Sequence, residues 1–100
     1  MPSKYSLTFF KEAEYELQEA FDHYQLELEG LGHRFLTAIE DRVDFIAKYP
    51  LAFPVKYKSF RQARVSKTFP FVIIYTIEDS RVLIISVFHT SRNPKNWSNR

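Results

Sequence analysis

Two arginines and a histidine stand out as groups that could act on an anionic partner: Arg64, His89 and Arg92. Arginine presents a planar fork that matches phosphate and carboxylate. Histidine titrates near neutral pH and can contact phosphate. His89 opens a His-Thr-Ser-Arg-Asn-Pro tail directly after an apolar run. A side chain leaving the end of a buried strand is held rigidly. The competing reading has His89 bonding a backbone carbonyl and locking the tail to the sheet. By the two-residue period of a strand, Leu83, Ile85, Val87 and His89 share a face. By the same parity Arg61 and Arg64 fall on opposite faces. Arg64 lies beside the most apolar strands, where an arginine without a partner is costly. Lys56 and Lys58 read as a solvated edge that discourages strand pairing.

Other chemistries find less support. Glu12, Glu16 and Glu19 line up at helical spacing, but opposite the apolar stripe, so they are expected to face solvent. Neither His-x-x-x-His nor Asp-x-Asp spacing accompanies them, and no metal or other cofactor is expected. The absence of Cys excludes thiol catalysis, disulfides and cysteine-ligated zinc. Both glycines, Gly30 and Gly32, sit in one short link, so no glycine-rich phosphate loop exists. A Ser-His-Asp set has no nucleophile-elbow context.

The elements that must position these groups follow from pattern. With 45% hydrophobic and 26% charged residues, the 100-residue chain has the composition of one globular domain spanning 1–100. Ten phenylalanines promise a ring-rich core. No apolar run approaches the roughly 18 residues of a membrane span. No signal-peptide core opens the chain, so a cytoplasmic location is expected. The net charge of +2 conceals an asymmetry. Residues 11–50 hold ten acids against four bases, while residues 51–100 hold nine bases against two acids. A basic half of this kind suits an anionic partner, or balances the acidic half within one domain.

Residues 4–10 read as a short strand. Ala13, Leu17, Ala20, Phe21, Tyr24 and Leu28 make one helical stripe, with Glu12, Glu16, Glu19 and Gln25 off it. Glu29-Gly30-Leu31-Gly32 stops that helix, glycine taking the left-handed conformation cheaply. A second stripe, Leu36, Ile39, Val43, Ile46 and Ala47, ends at Pro50. Residues 56–66 suggest one or two edge strands. Phe69 to Ile77 and Arg81 to Phe88 are near-continuous apolar runs joined by Glu78-Asp79-Ser80, the two strands at the centre of the sheet. The predicted fold is α+β, in the order β-α-α-β-β-β, with a helical hairpin packed on one face of an antiparallel sheet.

This order resembles the RelE/ParE toxin superfamily. So do the Glu29-Gly30-Leu31-Gly32-His33-Arg34-Phe35 link, the Tyr49-Pro50 helix end, the Phe69-Pro70-Phe71-Val72-Ile73-Ile74-Tyr75 strand and the Val87 to Pro94 tail. The link, the Phe-Pro-Phe strand and the His…Arg-Asn-Pro tail look closest to the ParE branch. The resemblance implies the toxin of a type II toxin–antitoxin, or plasmid stabilisation, pair. Its partner would be a small antitoxin, bound in a hetero-oligomer. ParE-like members poison DNA gyrase and are not hydrolases. RelE-like members are metal-independent ribonucleases that cut messenger RNA on the ribosome. For that alternative the resemblance makes Arg64, His89 and Arg92 the catalytic set. Two departures count against it. Phe71 stands where RelE-like members often carry an arginine, and Asn96-Trp97-Ser98-Asn99-Arg100 stands where they tend to carry a tyrosine. Trp97 could stack a base or cap the core. A third reading keeps antitoxin binding without toxicity.

The antitoxin is expected to dock along the sheet edge and the groove beside the helices, on Phe45, Tyr49, Tyr57, Phe60, Arg61 and Arg64. Aromatic anchors with arginine make plausible hot spots, and opposite charge speeds association. The competing reading is that these rings close the rim of a small core.

Overall fold

The computed structural model describes residues 5–91. A first strand, β1 (Ser6–Phe9), leads into helix α1 (Lys11–Glu27) and helix α2 (Leu31–Lys48). Four strands follow: β2 (Val55–Tyr57), β3 (Phe60–Arg64), β4 (Phe71–Glu78) and β5 (Arg81–His89). They form one sheet in the order β1-β5-β4-β3-β2. The segment read as one or two edge strands supplies both β2 and β3. Strands β2 to β5 make an antiparallel meander, whereas β1 joins β5 in parallel. That parallel pair needs a crossover, and the helical hairpin provides it.

The hairpin is tied by its two glycines, each for its own reason. Gly30 sits at φ +89, the left-handed region, and is the residue before α2. Helix α1 has already ended at Leu28, which is extended. Gly32 lies inside the first turn of α2, where a Cβ would come within 2.6 Å of Gln25 Cγ and 2.8 Å of the Phe21 carbonyl. Its bare Cα lets the helices approach closely. The Gly32 N–H donates to Gln25 Oε1 at 2.8 Å, so Gln25 is half-buried and used. Leu28, placed on the stripe by periodicity, is 60% exposed because the helix stops before it.

The helices cover one face of the sheet. Phe35, Ile39, Val43 and Ile46 of α2 meet Ala63, Ile73, Tyr75, Val82, Ile84 and Val87. A second buried cluster, Val72, Ile74, Ile85 and Phe88, occupies the opposite face. Burial on both faces explains why β4 and β5 read as continuous apolar runs.

One irregularity overturns the parity expected for β5. Ile74 pairs with Ser86, but Tyr75 pairs with Ile84, so Ile85 is an extra residue, a β-bulge. Val82, Ile84 and Val87 therefore share the helix-side face, while Leu83, Ile85 and Phe88 share the other. Leu83 and Ile85 do not lie on the face of Val87 and His89. Glu16 of α1 reaches this bulge. Its carboxylate accepts from Ser86 Oγ at 2.9 Å and from the Val87 N–H at 3.1 Å. The expectation that Glu16 faces solvent is thus corrected. It closes the sheet margin where β1 has ended, while Glu12 and Glu19 remain exposed.

Candidate functional site

The sheet separates the sequence-predicted site residues. His89 pairs with Phe71 on the helix-side face, their rings edge-on with centroids 5.3 Å apart. Ser91 holds it: the Ser91 N–H donates to His89 Nδ1 at 3.1 Å, and Ser91 Oγ lies 2.8 Å from the same nitrogen. With Nδ1 accepting, the neutral ring carries its proton on Nε2. The group that fixes His89 is therefore Ser91 rather than a backbone carbonyl. His89 borders a cleft of about 420 Å³, shared with Glu16, Glu19, His23 and Glu27 of α1. Tyr24 also lines this cleft, and burial with the nearby Glu27 charge pushes its hydroxyl pKa up. Among the described residues, no group of three or more acids and histidines is placed to hold a metal.

Arg64 pairs with Val72, a member of the opposite buried cluster, so it projects from the other face. It is exposed rather than buried against the central strands. Hence Arg64 and His89 do not converge. Arg92 lies outside the described residues, as does Trp97.

Arg61 faces the helix side, opposite Tyr75. Its Nη1 donates to the Phe53 carbonyl at 2.6 Å. The Tyr75 hydroxyl donates to the Pro50 carbonyl at 2.5 Å. A half-buried arginine and a core tyrosine thus pin the loop that follows α2. Burial pushes the Tyr75 pKa up to about 12, against the opposing pull of the Arg61 charge.

The pinned loop builds an aromatic surface with the end of α2. The Phe45 ring lies 5.1 Å from Tyr49 and 5.8 Å from Phe53. Phe45 is 41% exposed and Tyr49 55%. Tyr57 stacks on Phe60 at an interplanar angle of 10°, and Phe60 packs on the far-face cluster. The expected docking residues therefore form two groups. Phe45, Tyr49 and Arg61 belong to the helix side; Tyr57, Phe60 and Arg64 belong to the far side.

The periodicity reading overlooked Arg42. Its guanidinium carbon lies 5.8 Å from the Phe45 ring centroid and 5.4 Å from that of Phe53. Its Nη2 donates to the Val65 carbonyl at 3.3 Å. Its spacing to Phe45 and Tyr49, i+3 and i+7 on one helix face, was the available signal.

Residues 7–94 match the family model of the ParE toxin of type II toxin–antitoxin systems, parDE. The chain belongs to the ParE toxin family. It is accordingly a growth-inhibiting toxin of the RelE/ParE superfamily, and association with a cognate antitoxin goes with that role. Among solved structures, the toxin is similar to a chain of the chromosomal ParDE system from P. aeruginosa. There the TM-score is 0.63 and the identity 18%, over 84% of this chain and 94% of that one. It is equally similar in fold to a chain of the RelBE2 toxin–antitoxin complex from Mycobacterium tuberculosis. That match has TM-score 0.63 and 22% identity, over 87% of the toxin and 99% of the other chain. Among curated proteins no match was found. No described helix of the toxin is long and apolar enough to cross a membrane.

Proposed function

We propose that the toxin arrests growth by poisoning DNA gyrase in the cytoplasm and is neutralised by a small antitoxin. The single observation carrying the choice of target is the separation of Arg64 and His89 on opposite faces of the sheet. A metal-independent ribonuclease needs its general base, its acid and its phosphate-binding cations around one phosphate. Two members of the candidate set point away from each other. Phe71 adds weight, because it is a core residue packed 4.9 Å from the Phe35 ring rather than a cation on an open face.

The deciding experiment incubates the purified toxin with gyrase and relaxed plasmid. Loss of supercoiling, with cleaved DNA trapped on the enzyme, is the expected result. Fully active gyrase alongside arrested growth would refute it. Toe-printing on translated messages with purified ribosomes should show no codon-dependent cuts. Cuts abolished by His89→Ala would establish the ribonuclease instead. Growth unaffected by expression of the toxin alone would leave antitoxin binding as its remaining role.

A further inference from the structure

We propose that Arg42 is the charged centre of the antitoxin-docking surface and receives one carboxylate of the antitoxin, framed by Phe45, Tyr49 and Phe53. This rests on the antitoxin reading above and assigns the partner's chemistry.

The first ground is an unmet demand inside the toxin. Arg42 Nε is buried with no hydrogen-bond partner, the one such side-chain atom among the described residues. The single hydrogen bond of the guanidinium is the 3.3 Å contact to Val65. None of the described carboxylates pairs with it. Asp41 and Asp44 are near in sequence, but neighbours one and two positions away on a helix do not face each other. Arg42 as a whole is half-buried, and a cation held partly out of water without a counter-charge costs folding stability. The Val65 carbonyl and the Phe45 and Phe53 rings offset that cost only in part, so the counter-charge is expected from outside.

The second ground is the frame. The guanidinium sits beside two rings, which leaves its charge intact and removes water from one side. Tyr49, whose ring lies 5.1 Å from that of Phe45, is 55% exposed. An apolar rim about a single cation suits a peptide bearing one acid between aliphatic residues. A charge pair closed off from water in this way is of the kind that dominates an interface. Nucleic acid would call for a row of cations. Here the neighbouring Arg61 is committed to the Phe53 carbonyl.

The test co-expresses the toxin with the protein encoded by the adjacent reading frame. Failure of the wild-type toxin to capture that protein would overturn the antitoxin reading and this proposal together. If capture occurs, Arg42→Met should weaken it at least tenfold while the free toxin melts at the same temperature or higher. Arg42→Lys, which keeps the charge but loses the fork, should not restore capture fully. Each Asp and Glu in the antitoxin's C-terminal segment is then changed to its amide, in both backgrounds. One of them should weaken capture by wild type and have no effect on Arg42→Met. Undiminished capture by Arg42→Met would overturn the proposal, as would additivity at every carboxylate. Failure of both Arg42→Met and Arg42→Gln to fold would also overturn it, making Arg42 a structural prop for Val65.

Discussion

Arg61 and Phe53 are joined by a 2.6 Å hydrogen bond from guanidinium Nη1 to the backbone carbonyl, across the gap between β3 and the loop after α2. The same Phe53 offers its ring to Arg42. One loop residue therefore links two arginines by different chemistry. Arg61 holds the loop in place, and Arg42 borders the surface that the loop presents. Arg64, three residues further along, has neither task and stands exposed.

The two arginines of β3 should consequently separate on mutation. Arg61→Ala removes a charged donor from a half-buried carbonyl and should cost about 1–3 kcal/mol. Arg64→Ala should stay within about 0.5 kcal/mol of wild type, as exposed substitutions do. Urea unfolding followed by circular dichroism distinguishes them. Equal midpoints for the two variants would contradict the loop-pinning role.

Glycine replacement should be costly at both positions of the hairpin link, for different reasons. Gly32→Ala places a Cβ 2.8 Å from the Phe21 carbonyl, and forcing the helices apart should cost about 1–3 kcal/mol. Gly30→Ala meets open space but must hold φ +89, at about 1–2 kcal/mol. Gly30→Asn should recover part of the loss, since Asn tolerates that conformation, whereas Gly32→Asn should be worse than Gly32→Ala. Thermal melting of the four variants checks the ordering.

Glu16 should be the one acid of its row whose loss is felt. Glu16→Ala leaves the buried Ser86 hydroxyl and the Val87 N–H without their acceptor, at about 1–3 kcal/mol. Glu12→Ala and Glu19→Ala should change stability by less than about 0.5 kcal/mol. Amide exchange at Val87 offers a local readout. It should accelerate in the Glu16 variant alone.

Stability should fall in alkali through Tyr75. The hydroxyl ionises near 10.0 when unfolded and only at about 12 when folded. Between those values the unfolded chain has released a proton that the folded chain retains. Stability is therefore complete below pH 10 and declines as the pH rises toward 12. Tyr75→Phe should be less stable at neutral pH, having lost the bond to Pro50, and should show a shallower alkaline decline. Urea midpoints between pH 8 and 12 test both signs.

The helical hairpin and the central strands were legible because each is marked twice. Apolar spacing sets the stripe, and Gly30, Gly32 and Pro50 set its limits. The hidden features all depend on relations between distant residues. The bulge at Ile85 arises from pairing with β4, so a count of two along β5 cannot reveal it. Glu16 lies off the apolar stripe, but β1 ends opposite Ile84, and Glu16 reaches the Val87 N–H beyond that end. Arg64 reads as buried because it lies beside the most apolar strands, but it projects from the far face, where it is the one exposed residue of β3. Phe45 and Tyr49 could be read as surplus apolar surface, whereas the significance of Arg42 depends on Phe53, which arrives from the next loop.

The parallel pairing of β1 with β5 sets an order of events during synthesis. Ser6 finds its partner at Arg81 and Phe9 at Ile84, so the earliest strand made must wait for the latest. Contacts this far apart in the chain close slowly and late. A nascent chain that has reached Ser66 holds both helices and β3 but neither strand that builds the middle of the sheet. The Glu16 bonds to Ser86 and Val87 are equally out of reach until then. Translation must run almost to the end of β5 before the molecule can assume its working shape, and a ribosome that stalls before that point yields no active product.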